Sequence, residues 1–260
     1  MTNDAKTIND EMTKISEVIT RLEQIIEWAK EQQSPLGYFA AVYLKMTLAV
    51  RDGIEKGLFE NGSRMEQLDV RFAGRYFEAL DAWQSGQPCT QSWKTAFEAS
   101  ANDNYAVIQH ILLGINAHIN LDLGIAAAQT RSGDAIFGLR KDFDRINDII
   151  AGLTDRTQER LADIWLPFGL LDYLLRTEDE GWVHFSIRVA RGAAWKAATA
   201  LAFARQSETE KALIRDLDSA IAFFAKKITE PGFWINVGLR FMRRDEQGSV
   251  REKIETLMKI

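Results

Sequence analysis

The sequence has few of the residues and motifs that build covalent, metal-bound or nucleotide-binding sites. It contains one cysteine, Cys89, so no disulfide can form within the chain, as expected in a reducing compartment. Cys89 lies in a polar Gly-Gln-Pro-Cys-Thr turn without His or Lys beside it, which favours an ordinary loop thiol. The sequence also lacks a glycine-rich phosphate loop, a Ser-x-Gly elbow and a Cys-x-x-Cys pair. Nucleotide-binding, serine-hydrolase and zinc-finger classes therefore have no support.

Two further absences concern membranes and nucleic acids. No uninterrupted apolar run approaches membrane-spanning length, and the first residues do not combine a basic region with an apolar core. The formal net charge is −5, which argues against a general nucleic-acid binder because such proteins need a basic face. We therefore predict a cytoplasmic protein with no transmembrane segment and no nucleic-acid partner.

The remaining composition is that of a globular protein, with 46% hydrophobic and 27% charged residues and only 4 prolines in 260 positions. No segment alternates apolar and polar residues between hairpin turns, whereas apolar residues recur at helical spacing throughout. We predict an all-α fold, a compact bundle of about nine to eleven helices around a buried central helix at about residues 104–129. The bundle is expected to be a single domain over residues 1–260.

Capping residues and breakers predict the helix ends. Residues 7–33 show apolar groups at alternating spacings of four and three, and Pro35 starts the next helix at about 35–59. Ser63 with Glu66 and Ser207 with Glu210 have the spacing of capping boxes. Further helices are predicted at about 134–152, 155–176 and 180–206, and a charged final helix from Ser249.

The segment His110–Gly124, with the sequence HILLGINAHINLDLG, is the most informative part of the chain. It lies in the longest run without Lys, Arg or Glu, residues 99–130, and holds two of the three histidines, two asparagines and an aspartate. On a helix His118 and Asp122 lie one turn apart on one flank of an apolar stripe, and Asn116 and Asn120 lie on the other. His110 lies ~12 Å along the axis from His118, too far to share one ion with it on a straight helix.

A His and an Asp one turn apart can act as an acid/base pair or bind a divalent metal. We take His118, Asp122 and His184 as candidate catalytic residues, and His118, Asp122 and Asp142 as candidate metal ligands. The cofactor would then be a divalent metal that activates water for attack on an ester or phosphoester. Alternatively, the cluster is a purely structural hydrogen-bond network that specifies helix packing.

A second set of residues lies on one face of the predicted 180–206 helix. Its members, at intervals of four, three and four, are His184, Arg188, Arg191 and Trp195. His and Arg side chains in line can hold a small anionic ligand, because guanidinium offers paired donors. Alternatively, the arginines pair with acids such as Asp122 or Asp142. The candidate ligand-binding residues of the chain are His110, Asn116, Asn120, Arg188, Arg191 and Trp195.

The segment Phe233–Arg244 combines aromatic residues with three arginines. Such a helix can touch an anionic membrane surface or a partner. We regard docking on the bundle as the better interpretation.

Several blocks of the sequence resemble a known family. The string GINAHINLDL, preceded by LL, is similar to the signature of the uncharacterised bacterial domain-of-unknown-function family 5995. Other blocks in the same order are GYFAAVY at 37–43, FAGRY at 72–76, Ser92-Trp93, Asp142-Phe143 with Asn147, and Ala190-Arg191 with Ala194-Trp195. The likeness covers about residues 20–205, and helices 207–260 are expected to pack on that region. It implies a bacterial protein without an assigned activity and adds weight to the matching residues His110, Asn116, His118, Asn120, Asp122, Asp142 and Arg191.

Overall fold

The computed structural model describes residues 12–149 and 187–259, and all regular elements in these two ranges are helical. This confirms the predicted all-α fold. In chain order the α-helices are α1 (Ile15–Glu31), α2 (Leu36–Glu55), α3 (Gly62–Gln84), α4 (Gln91–Glu98), α5 (Val107–Ala117), α6 (Leu123–Thr130), α7 (140–149), α8 (Ile187–Phe203), α9 (Glu208–Thr229), α10 (Phe233–Asp245) and α11 (Val250–Met258). Short 3₁₀ segments cover Ala99–Ala101 and Gly133–Leu139, and a π-helical turn covers His118–Asp122.

Helices α5 and α6 are joined by the π-helical turn into one rod, Val107–Thr130, at the centre of the bundle. The rod is contacted by α2, α3, α4, α8 and α9. Among the described residues it is the one helix long and apolar enough to cross a membrane, but 78% of its most apolar window is buried in the protein. The rod is therefore apolar because it lies in the core of the bundle. This agrees with the buried central helix predicted at about residues 104–129.

Glycines on the central rod allow two neighbouring elements to approach closely. A Cβ placed on Gly114 would lie 2.4 Å from Cγ of Phe39 in α2. A Cβ on Gly124 would lie 3.1 Å from the carbonyl oxygen of Ala194 in α8. Any side chain at either position would push the neighbour away, so the two glycines set how tightly α2 and α8 pack on the rod.

The C-terminal helices pack on the rest of the bundle and complete the start of the central rod. The buried carboxylate of Glu246, just after α10, accepts a hydrogen bond from the backbone N–H of Val107 at 2.7 Å. Lys253 of α11 lies 3.3 Å from the other carboxylate oxygen. A negative group at a helix N-terminus satisfies an open N–H and complements the helix dipole. The α11 helix also packs on α2, where Ile254 leaves no room for a side chain on Gly37.

The predicted helix caps are right in part. The N-cap of α3 is Asn61, whose side chain accepts from the Arg64 N–H, so the capping box predicted at Ser63 and Glu66 is wrong. Glu66 instead accepts from the N–H of Ile15 at the start of α1. Ser207 does cap α9, although the Glu210 carboxylate bonds the N–H of Gln206. Ser249 caps α11 with a complete capping box.

Four other predicted segments differ from the structure or lie at least partly outside the described residues. The helix predicted from residue 134 begins as 3₁₀ helix over Gly133–Leu139 and becomes α-helical at residue 140. The segment 155–176, the first residues of the 180–206 helix and residues 7–11 lie outside the described residues. In the described range, the 180–206 prediction corresponds to α8.

Candidate functional site

The π-helical turn places His118 and Asp122 side by side in the middle of the central rod. The N–H of Leu123 bonds the carbonyl of His118, five residues back, which is the bond that defines a wider π turn. Nδ1 of His118 lies 3.3 Å from an oxygen of Asp122. The predicted pair is therefore present. Because a carboxylate can only accept, Nδ1 carries the proton of the neutral ring.

Asp122 has no exposed surface and is hydrogen-bonded from two other helices. Nε of Arg75 in α3 donates to one carboxylate oxygen at 2.8 Å, and Nε1 of Trp93 in α4 donates to the other at 2.7 Å. The guanidinium group compensates the buried negative charge, and the indole satisfies the second oxygen. Asp122 thus ties α3, α4 and the rod together at one point.

His118 is enclosed by aromatic rings. Its imidazole stacks on Phe72 at a centroid distance of 3.6 Å, and the edge of Tyr43 lies at 4.5 Å. Phe39 and Trp93 complete the enclosure at 5.6 and 6.0 Å. Burial lowers the pKa of His118 below its ordinary value, and Asp122 opposes that shift only in part. The imidazole is therefore neutral at physiological pH.

Three buried polar atoms beside this cluster have no hydrogen-bond partner among the described residues: Nε2 of His118, the Tyr43 hydroxyl and Oδ2 of Asp69. Burial raises the pKa of Asp69 to about 7, and Glu66 adds to the rise. Burial also raises the pKa of Tyr43, and the charge of Asp69 contributes. These groups were missed from the sequence as site residues. The signal for Asp69 was an acid on the apolar face of α3, four residues after Met65 and three before Phe72.

The asparagine flank of the rod faces a different helix. Asn116 is fully buried, and its amide donates to the backbone carbonyl of Ile221 in α9 at 3.0 Å. Asn120 donates to the Asn116 side-chain oxygen at 2.9 Å. The two flanks deduced from the spacing therefore exist, and the asparagine pair fastens α9 to the rod.

Asp142 is buried, as predicted, but it is not near the His118–Asp122 pair. Its two oxygens accept from the N–H groups of Glu60 and Asn61, and Arg64 donates at 2.6 Å. Arg64 precedes Arg75 by eleven residues on α3, roughly 16 Å along the helix axis. Asp142 thus holds the start of α3. The described ranges contain no group of three His, Cys, Asp or Glu side chains able to hold one metal ion.

The side chain of Arg191 reaches α7 instead of an acid. Its Nε donates to Asn147 at 2.8 Å, a second nitrogen donates to the carbonyl of Phe143, and the guanidinium lies 4.5 Å from the Phe143 ring centre. Burial lowers the pKa of Arg191 to about 10. The predicted pairing with Asp122 or Asp142 is absent. Trp195 packs against Phe143 at 5.0 Å.

The other candidates lie apart from the cluster or outside the described residues. His110 is buried between Tyr38 and Tyr105, at ring distances of 5.8 and 6.1 Å. Burial lowers its pKa to about 4, and the charges of Arg243 and Lys253 lower it further. His184 and the Arg188 side chain lie outside the described residues.

The described residues define the class of the protein: an all-α protein with a buried His–Asp pair on its central helix, hydrogen-bonded by Arg75 of α3 and Trp93 of α4. A family model described as a family of unknown function, DUF5995, matches residues 15–231. The chain belongs to this family, as the sequence blocks indicated. No curated protein and no solved structure matches the chain.

Proposed function

We propose that the chain is a non-enzymatic helical scaffold, a protein-interaction module, in which the His118–Asp122 pair belongs to a structural network. This proposal rests on Asp122, because both of its carboxylate oxygens already have hydrogen-bond donors. The residue is fully buried and receives these hydrogen bonds from Arg75 and Trp93. Its charge is already compensated, so it has little capacity left for a metal or a substrate proton. His118 is likewise closed off by aromatic rings.

Exposed phenylalanines support the interaction module. Phe223 and Phe224 are adjacent on α9 with exposed fractions of 63% and 51%. Phe137 and Phe203 form an exposed pair with ring centres 6.2 Å apart. Large apolar side chains grouped at a surface favour protein contacts.

A double-mutant cycle tests the structural network. Asp122→Asn leaves the partly buried Arg75 without its charge partner, and we expect a loss of about 3 kcal/mol in the free energy of unfolding, the lower end of the range for buried pairs. Arg75→Met added to Asp122→Asn removes the unpaired charge, so the double variant is expected to unfold at a higher urea concentration than the sum of single losses predicts.

The same purified protein is assayed for metal by elemental analysis and by thermal unfolding with Zn²⁺, Mn²⁺ and Fe²⁺. The scaffold proposal predicts no stoichiometric metal and no shift of Tm. A metal-dependent rise in Tm that disappears in His118→Gln would overturn it.

The unpartnered polar atoms favour a second candidate function, in which the cluster binds a divalent metal or a small anionic ligand and supports hydrolase chemistry. Nε2 of His118, the Tyr43 hydroxyl and Oδ2 of Asp69 have no hydrogen-bond partner in the described ranges and offer contacts to a ligand, and π turns recur at functional sites. Substrate entry then requires the aromatic enclosure to open. Hydrolysis of p-nitrophenyl acetate or p-nitrophenyl phosphate by the wild type, lost in His118→Gln with the fold retained, would establish this candidate.

A cytoplasmic location and the lack of a nucleic-acid partner also stay predictions. They depend on the single cysteine and the net charge of −5. Cell fractionation and a filter-binding assay with duplex DNA and RNA test them.

A further inference from the structure

A cleft lies at the N-terminal end of the central rod, away from the His118 cluster. It has a volume of about 580 Å³ and lies between the loop at residues 102–105, the end of α9 and helix α10. This volume is within the range of small-molecule sites, roughly 300–1,000 Å³. Gln109 at its floor precedes His118 by nine residues, roughly 14 Å along the rod.

The cleft concentrates positive charge in an acidic protein. Arg240, Arg243 and Arg244 line it, and no Asp or Glu is among its lining residues, although the chain carries a net charge of −5. Neither Arg240 nor Arg244 has an ion-pair partner in the described part of the chain. Guanidinium groups without acid partners in one concave site favour oxyanions, which they bind through paired N–H donors.

Two lining residues are held in place by the surrounding backbone. Nε of Arg243 donates to the carbonyl of Asp103 at 2.8 Å, and its guanidinium also lies 3.7 Å from the Glu246 carboxylate, so this side chain is held against the loop at residues 102–105. Gln109 is buried, and its amide bridges the N–H of Ala106 and the carbonyl of Ile228 at 3.0 and 2.8 Å. The site is therefore preorganised at its floor and at one cationic group.

The other polar side chains that line the cleft are uncharged. Asn102, Asn104, Tyr105 and Asn236 contribute amide and phenol groups. The loop is shaped by Asn102, whose side-chain oxygen accepts from the backbone and side-chain N–H groups of Asn104. Such side chains suit the neutral part of a ligand whose charged groups bind the arginines.

We propose that this cleft binds a phosphate-bearing molecule, with its phosphates at Arg240, Arg243 and Arg244 and its neutral part against the asparagines and Tyr105. The arginines and Asn236 follow residue 231, where the family match ends, whereas the loop at residues 102–105 and Gln109 lie within it. The proposal is independent of the role of the His118 cluster, because the two sites share no residue.

The phosphate group that binds the arginines can belong to a free metabolite or to a lipid headgroup. Phe233 and Phe241 on α10 have exposed fractions of 73% and 59%, as expected for a helix that reaches a lipid surface. The experiment must therefore offer the protein both a free phosphate compound and phospholipid vesicles.

Titration calorimetry with inorganic pyrophosphate and with adenosine diphosphate tests the free form. Co-sedimentation with phosphatidylcholine vesicles, with and without phosphatidylglycerol, tests the headgroup form. Arg240→Gln combined with Arg244→Gln removes two exposed charges, and we expect at least tenfold weaker binding because two charge-assisted contacts are lost. The matched control is Arg71→Gln with Arg215→Gln, two exposed arginines elsewhere.

Binding in either arm that weakens in the cleft variant and persists in the control supports the proposal and identifies the source. The absence of binding in both arms, or an equal loss in the control, would overturn it. Circular dichroism of both variants verifies that the helical fold is retained.

Discussion

Replacement of Gly114 by alanine tests whether the centre of the bundle is packed as tightly as the structure indicates. The added Cβ would lie 2.4 Å from Cγ and 2.8 Å from Cβ of Phe39, against an ordinary contact of 3.4–4 Å. The Phe39 Cβ cannot rotate away, so α2 itself must shift by about 1 Å. The ring of Phe39 also contacts Tyr43, Tyr76, Trp93 and His118 at centroid distances of 5.1–5.7 Å. Movement of α2 therefore disturbs the aromatic enclosure of His118.

Overpacking of a core costs ~1–3 kcal/mol, and alanine recovers ~1 kcal/mol in a helix interior. We expect the upper part of that range, a net loss of about 2 kcal/mol and a fall in Tm of roughly 4–8 °C. The control is Gly74→Ala in α3, where nothing lies within 4 Å of an added Cβ. That substitution should raise Tm.

Thermal unfolding followed by far-UV circular dichroism measures both variants. Phe39→Leu in the Gly114→Ala background should be less destabilising than in the wild type, because the smaller residue relieves the clash. The reasoning is refuted if Gly114→Ala raises Tm as much as Gly74→Ala does.

Three further predictions concern buried titratable groups. The pKa of Asp69 is raised to about 7, so the folded state loses stability as pH rises from about 4 to 7. Asp69→Asn should therefore raise Tm at pH 8 and leave it nearly unchanged near pH 4. The pKa of His110, lowered to about 4, has the opposite sign: stability is lost as pH falls from about 6.5 to 4, and His110→Gln should reduce that loss in urea titrations. Glu246→Gln should lower the free energy of unfolding by about 1–3 kcal/mol, since it weakens the cap on Val107 and leaves Lys253 buried without its partner; equal urea midpoints for variant and wild type would contradict the cap.

Local patterns were sufficient for the helical fold and for pairs within one helix. The spacing of four placed His118 beside Asp122 and Asn116 beside Asn120, and the same rule works for any helix. The partners of Asp122 could not be deduced in this way. Arg75 and Trp93 are 47 and 29 residues away, and only the packing of three helices brings them together.

The fate of Asp142 shows the same limit. Its inward orientation was predictable from its neighbour Phe143, but its function was not. Its partners are the start of α3, about eighty residues earlier, and nothing in the local sequence distinguishes a buried helix cap from a metal ligand. The capping box at Ser63 and Glu66 was wrong for a related reason, because Asn61, two residues earlier, is an equally good cap.

The contact between Glu246 and the start of the central rod has a consequence for biosynthesis. The two groups are 139 residues apart in sequence, and Glu246 is translated long after Val107 has left the ribosome. The rod is the one described helix that is long and apolar enough to cross a membrane, and the N–H of Val107 lacks its carboxylate partner until Glu246 has been made. During that interval the nascent chain exposes an apolar helix that its neighbours do not yet cover fully, a condition that favours aggregation. Ribosome-bound chains halted before residue 246 should therefore depend on chaperones more than chains that include α11.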